Sequence, residues 1–198
     1  MGWLPHGKKI KERGTKVKDI SKPNVKIQVD SVSPRAIGKL AEDNFRGGFY
    51  CCEALMAAIR DGFALDVPDE VIAMSSGMGV GVGHSGCLCG AVNGGVMALG
   101  MLFGRTERKG PQDPRSQKVM QLTSELLNWF KDNNGKHSSC CRVLTREFDM
   151  AKGEHKEQCV RFTGMCAEKT AEIICRETGV GNLDAEAVPQ SERVEVSA

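Results

Sequence analysis

The chain has 198 residues, with 27 Lys and Arg against 25 Asp and Glu and 40% hydrophobic residues. That apolar content fills a core and excludes a wholly disordered chain. A net charge of +2 and 5% aromatics offer nucleic acid neither a basic field nor a stacking platform, and no run of about 18 apolar residues exists to span a membrane.

Residues 1–33 read as a basic extended arm, with seven Lys and Arg13 in the first thirty residues against Glu12, Asp19 and Asp30. Within it Val25, Ile27 and Val29 alternate with Lys26 and Gln28, the pattern of one short strand or of an extended segment packed on a partner. No apolar secretory core follows Met1, so the expected location is the cytoplasm. Ser33-Pro34 is a helix start, with Ser33 as N-cap and Pro34 in the first turn. Ile37, Leu40, Ala41, Phe45, Cys52, Leu55, Met56 and Ile59 then recur at helical spacing, interrupted by Gly47-Gly48, which divides two helices ending near Asp61-Gly62. Val67-Pro68-Asp69-Glu70 opens a short helix.

Residues 77–86 form a glycine-rich loop, and residues 87–104 a helix of small residues. Val119, Leu122, Leu126 and Phe130 mark an amphipathic helix between Pro114 and Gly135, and a last helix runs from about Glu154 to Cys175. The expected fold is all-α: a compact helical bundle over residues 34–176, with the glycine-rich loop and the extended N-terminal arm. Residues 177–198 are an acidic tail, expected to fray.

Gly77, Gly79, Gly81, Gly83 and Gly86 fall within ten residues. No Gly-Lys-Ser/Thr follows to make a phosphate loop. Cys87 and Cys89 come next, so the loop either presents backbone N–H groups to sulfur or allows a tight crossing beneath a helix. Gly90, Gly94 and Ala98 form a smooth helix face, suited to a central helix or to the seam of a homodimer.

Nine cysteines are the outstanding feature: Cys51-Cys52, Cys87, Cys89, Cys140-Cys141, Cys159, Cys166 and Cys175. A chain of this length in a reducing compartment does not need disulfide staples, and there such a count points to metal or catalysis. No pair has Cys-x-x-Cys spacing and no Cys-x-x-Cys-His exists, so covalent haem is not expected. Any site is assembled from separated segments by folding. Cys159, Phe162, Thr163, Cys166, Thr170 and Ile173 share one stripe facing the core. His84 lies in the glycine loop and His137 near Cys140; both read best as exposed. His155 and His6 suggest nothing, and no hydrolase constellation is present.

These segments carry a resemblance. Gly48-Phe49-Tyr50-Cys51-Cys52-Glu53-Ala54-Leu55, Cys89-Gly90-Ala91-Val92-Asn93-Gly94, Cys141-Arg142-Val143-Leu144-Thr145 and the Cys159 segment resemble, in order, the four cysteine motifs of the C_GCAxxG_C_C family of redox-active proteins. The stretch from Gly100 to Thr106 is similar to the related, cluster-binding part of split-Soret cytochromes. Tyr50 stands where the family has Asn, and Cys52, Cys87 and Cys140 are extra.

The resemblance implies a redox or electron-transfer protein, an electron carrier or an oxidoreductase with an unspecified redox partner. It would bind a [2Fe-2S] or [4Fe-4S] cluster through Cys51, Cys89, Cys141 and Cys159, with Cys52, Cys87, Cys140 and Cys166 as secondary candidates. Cys89, at a helix start, is expected to have a lowered pKa. Two alternatives stay open. One is a metal-free thiol–disulfide protein in which Cys51-Cys52 and Cys140-Cys141 exchange with Cys87 or Cys89; the other is a structural zinc module.

Overall fold

The computed structural model describes residues 22–185. The basic run from Lys8 to Lys18 and the acidic residues from Glu186 onward lie outside them. The described chain is mostly helical, as an all-α fold requires. Helix α1 (Pro34–Arg46) starts where the sequence places it: Ser33 Oγ accepts from the Ala36 N–H at 3.1 Å, and Pro34 occupies the first turn. Gly48, at φ +118°, turns the chain into α2 (Cys51–Gly62). The short α3 (Glu70–Ala73) follows, and then the glycine-rich segment leads to α4 (Gly90–Phe103).

Helix α5 (Pro114–Asn133) is capped by Asp113, whose carboxylate accepts from the N–H groups of Arg115 and Ser116. The five-residue α6 (Cys141–Thr145) precedes the long α7 (Lys156–Thr178), which Gly179 ends in the left-handed conformation. The described strands are β1 (Ser31–Val32) and β2 (Gly181–Asn182), a parallel pair two residues long.

α7 is the spine. α1 lies along it, α2 packs on α1, and α4 is enclosed by α2, α5 and α7. Gly38 and Gly164 let α1 and α7 approach: a Cβ at Gly38 would sit 3.0 Å from the Gly164 carbonyl. Phe130 of α5 and Phe162 of α7 meet edge to face at 5.3 Å, the favoured aromatic geometry. Of the two uses for the Gly90, Gly94, Ala98 face, the structure shows the central helix. All three residues are buried, and a Cβ at Gly94 would meet the Cys52 carbonyl at 3.0 Å and Leu55 Cβ at 3.1 Å. The face is spent inside the chain and is not a dimer seam.

Ahead of β1, within residues 22–30, the chain has neither helix nor strand, and Val25, Ile27 and Val29 pack on this chain's own core. Asn24 fixes them: its N–H donates to Leu102 O at 2.7 Å and its amide nitrogen to Gly104 O at 2.6 Å. The chain does not fray at Glu177. Beyond α7 it pairs through β2, and the Asp184 carboxylate accepts from Ser33 Oγ at 3.0 Å and from the Arg35 N–H at 2.8 Å, placing negative charge on the start of α1.

Two local departures concern the site. α4 begins at Gly90, not at residue 87, because Leu88 pairs antiparallel with Cys140 and draws residues 87–89 into a bridge. α6 was not anticipated; five residues carry too little periodicity to read.

The close approach of α4 to α2 is checked by Gly94→Val. Overpacking against the Cys52 backbone should destabilise the fold by about 1–3 kcal/mol, read from the urea midpoint at unchanged slope.

Candidate metal centre

The four motif cysteines stand at helix starts. Cys51 is the first residue of α2, Cys89 caps α4, Cys141 is the first residue of α6, and Cys159 lies in the opening turn of α7. The structure brings all four to one cavity of about 430 Å³. Its lining is mostly apolar, with Phe45, Phe49, Tyr50, Met150 and Val160, but Arg46, His155, Lys156 and Glu157 also reach it. The N-termini of the long helices α2, α4 and α7 thus converge here, and their unpaired N–H groups favour negative charge. Among the described residues, no three Cys, His, Asp or Glu side chains are drawn tightly enough around a point to hold a single ion as they stand. The thiols ring a space.

Gly90 makes this arrangement possible. A Cβ there would lie 2.1 Å from Cys51 Sγ, so the thiol occupies the room a side chain would need. Gly81 serves Cys141 the same way: a Cβ on it would fall 2.8 Å from Cys141 Cβ and 2.6 Å from Cys87 N. Gly81 belongs to an unusual run. Val80, Gly81, Val82, Gly83 and His84 all have positive φ, between 49° and 69°. They form a left-handed turn, which β-branched valines adopt at a cost of roughly 1–2 kcal/mol each. The turn is held from both sides. Gly86 N–H donates to Val80 O at 3.4 Å and Cys87 N–H to Gly81 O at 3.1 Å, while Cys141 N–H donates to Cys87 O at 2.5 Å. Both uses foreseen for the glycines coexist, since the crossing is tight and the Val80 N–H acts on the Cys51 sulfur.

Burial dominates the electrostatics. Cys51 is pushed well up by the neighbouring Cys52 thiol and by desolvation, against the pull of the Val80 N–H. Cys52 is lowered, chiefly by its hydrogen bond with Cys51. Cys89 is raised to about 12 by burial, with the charge of Cys51 adding to it, although the N–H groups of Ala91 and Val92 oppose the shift. The expected lowering of Cys89 is therefore overturned in the metal-free protein: two amides at a helix start do not outweigh complete desolvation. Cys159 is also raised to about 12, by burial and then by the charges of Cys89, Cys51 and Cys141. Burial raises Cys141 as well. The four groups sense one another, as thiols around one cavity must.

The other five cysteines do not line the cavity. Cys52 is fully buried beside the site and donates to Ser75 O at 2.9 Å. Cys87 is exposed; Cys140 is half-buried, with its Sγ donating to Gly86 O at 3.3 Å. Cys166 lies in the core with Phe162, Thr163, Thr170 and Ile173 of its stripe, and Cys175 is buried further along α7. His84 and His137 are exposed, and His84 meets the Tyr50 ring edge-on at 6.4 Å. His155 was missed. The signal was its spacing of four residues before Cys159, which puts both on one helix face.

The family model "Putative redox-active protein (C_GCAxxG_C_C)" matches residues 49–173. The chain belongs to this family. That stretch contains all four motif cysteines, from Cys51 to Cys159. Among solved structures the chain is similar to one titled "A novel iron centre in the split-Soret cytochrome c from Desulfovibrio desulfuricans ATCC 27774", at 17% identity and a TM-score of 0.58, over 86% of this chain and 78% of that one. At that identity the likeness is one of fold. No curated protein matches by sequence.

Thiol burial sets a pH dependence. Cys89 and Cys159 keep their protons to about pH 12 in the fold, whereas an unfolded chain releases them near ~8.5. Above that the unfolded state binds fewer protons, so the metal-free protein should lose stability as pH rises from about 9 towards 12. Urea midpoints at pH 8 and pH 10 should show the fall, and Cys89→Ser should remove one thiol's share, about 1.4 kcal/mol per pH unit.

Proposed function

We propose that this protein is a redox protein that binds an iron–sulfur cluster through Cys51, Cys89, Cys141 and Cys159, serving electron transfer. The observation that carries the reading is that these four thiols, from four separate elements, line one cavity. Iron takes about four soft sulfur ligands, and a ring of thiols around a space suits a polynuclear cluster better than one closed tetrahedral zinc. The donor set fits in a second way. Backbone N–H groups already act on Cys51 and Cys89, and hydrogen bonds to sulfur tune reduction potential.

When bound, the cluster supplies one-electron chemistry, and its positive iron draws the protons off thiols that burial otherwise holds neutral. The chain's own part is to hold four sulfurs, aim amides at two of them and keep water away with Phe45, Tyr50 and Val160. Membership of a redox-active family and a fold shared with a protein titled for its iron centre support the reading. It extends to a cytoplasmic setting, which keeps nine thiols reduced, and to a homodimer, the commonest closed oligomer. Any such dimer uses a face other than Gly90–Ala98, which α2 covers.

Anaerobic purification followed by iron and sulfide analysis tests the cluster. Wild-type protein should contain both and absorb in the visible. Cys89→Ser should lose the colour, whereas Cys175→Ser, away from the cavity, should keep it. Equal iron in both variants removes Cys89 as a ligand. A wild type without iron or sulfide that undergoes reversible two-electron thiol oxidation replaces the cluster with the thiol–disulfide reading. Light scattering checks the dimer, which should show twice the 21.5 kDa chain mass at micromolar concentration.

A further inference from the structure

The sulfurs around the cavity are unevenly provided with hydrogen-bond donors. Cys51 has the Val80 N–H, and Cys89 has those of Ala91 and Val92. Among the described residues no N–H acts on Cys141 or on Cys159. A cluster-bound thiolate buried without donors is poorly stabilised, because a sulfur carrying negative charge is a hydrogen-bond acceptor left unmet, and of these two sulfurs it is Cys159 that has a donor-bearing imidazole one helical turn away.

The group placed to meet it is His155. It caps α7, one turn before Cys159, and the Cys159 N–H donates to its carbonyl at 3.0 Å. Residues four apart project from one helix face, and both line the cavity. The ring has donor capacity to spare, since its Nδ1 is buried and has no hydrogen-bond partner. An imidazole carries at least one N–H donor in either protonation state. Four thiols already complete the ligand set, so an imidazole beside them has the N–H to offer and no iron position to fill.

We propose that His155 is a positioning residue of the metal centre, donating a ring N–H to the Cys159 thiolate when the cluster is bound. The inference rests on the cluster reading. Its consequence is on the potential. A donor to sulfur stabilises the more negative, reduced state, so removing it lowers the midpoint potential while leaving the iron in place.

The test compares anaerobically prepared wild type with His155→Leu, His155→Asn and His155→Gln, reading iron, sulfide and midpoint potential. Asn and Gln carry an amide N–H at the reach of Nδ1 and Nε2 respectively. Expected are wild-type iron and sulfide in all four proteins. The reduction equilibrium of His155→Leu should shift about tenfold towards the oxidised form, about 59 mV for one electron, and the wild-type potential should be restored in Asn or Gln. An unmoved potential in His155→Leu overturns the proposal, and so does an equal shift in all three variants. Loss of iron in His155→Leu alone also overturns it, by making His155 a ligand. A wild type free of iron and sulfide refutes the underlying cluster reading, and the inference falls with it; that outcome shows in the metal analysis before any variant is compared.

Discussion

The centre of this molecule depends on one missing side chain. α4 starts against α2 at Gly90, and Cys51 Sγ fills the space where a β-carbon would stand. That contact sets the first two sulfurs beside each other, because Cys89 is the residue before Gly90. The rest is built outward. Gly94 continues the close approach one turn on, the left-handed turn carries Gly81 over Cys141, and α7 brings Cys159 to the remaining side. Small residues here trade helix propensity, about 1 kcal/mol per glycine, for sulfur placement that a larger residue would block.

Burial and charge oppose each other at this site. The thiols are deep enough to stay protonated far above neutrality, yet helix starts and loop amides point negative-charge-seeking groups at them. In the metal-free protein, burial wins and the Cys89 and Cys159 thiols stay neutral. The amides are then underused. A positively charged group among the sulfurs reverses the balance, and the same amides become stabilising. The architecture makes physical sense as a receptor for a cation-bearing sulfur cluster more than as a set of isolated thiols.

Much of the fold was legible from periodicity and caps. α1, α2, α5 and α7 carry apolar stripes, and Ser33 marks a boundary by chemistry that acts within three residues. What escaped depends on distant partners. The start of α4 shifted because residues 87–89 pair with Ser139–Cys141, fifty residues away in sequence. The order of residues 179–184 is hidden because Asp184 looks like one more exposed acid until Ser33 is beside it. At the site, the four motif cysteines came from resemblance to a family, since no local spacing joins them. His155 was overlooked although its offset from Cys159 was in plain view; an isolated histidine gains meaning only when the cavity shows what it faces. The Cys89 pKa went the other way from expectation because a helix start is visible in sequence and complete burial is not.

The turn from Val80 to His84 has a hand opposite to that of the seven helices around it. Locally it is a mirror image, and its backbone suits residues of mirror-image chirality better than the L-valines it contains. D-valine at position 82, whose side chain is exposed, would be relaxed where the natural residue is strained. The stereochemical comfort of an L-polypeptide is here given up at Val80, Val82 and His84, in the turn whose Val80 amide acts on the Cys51 sulfur.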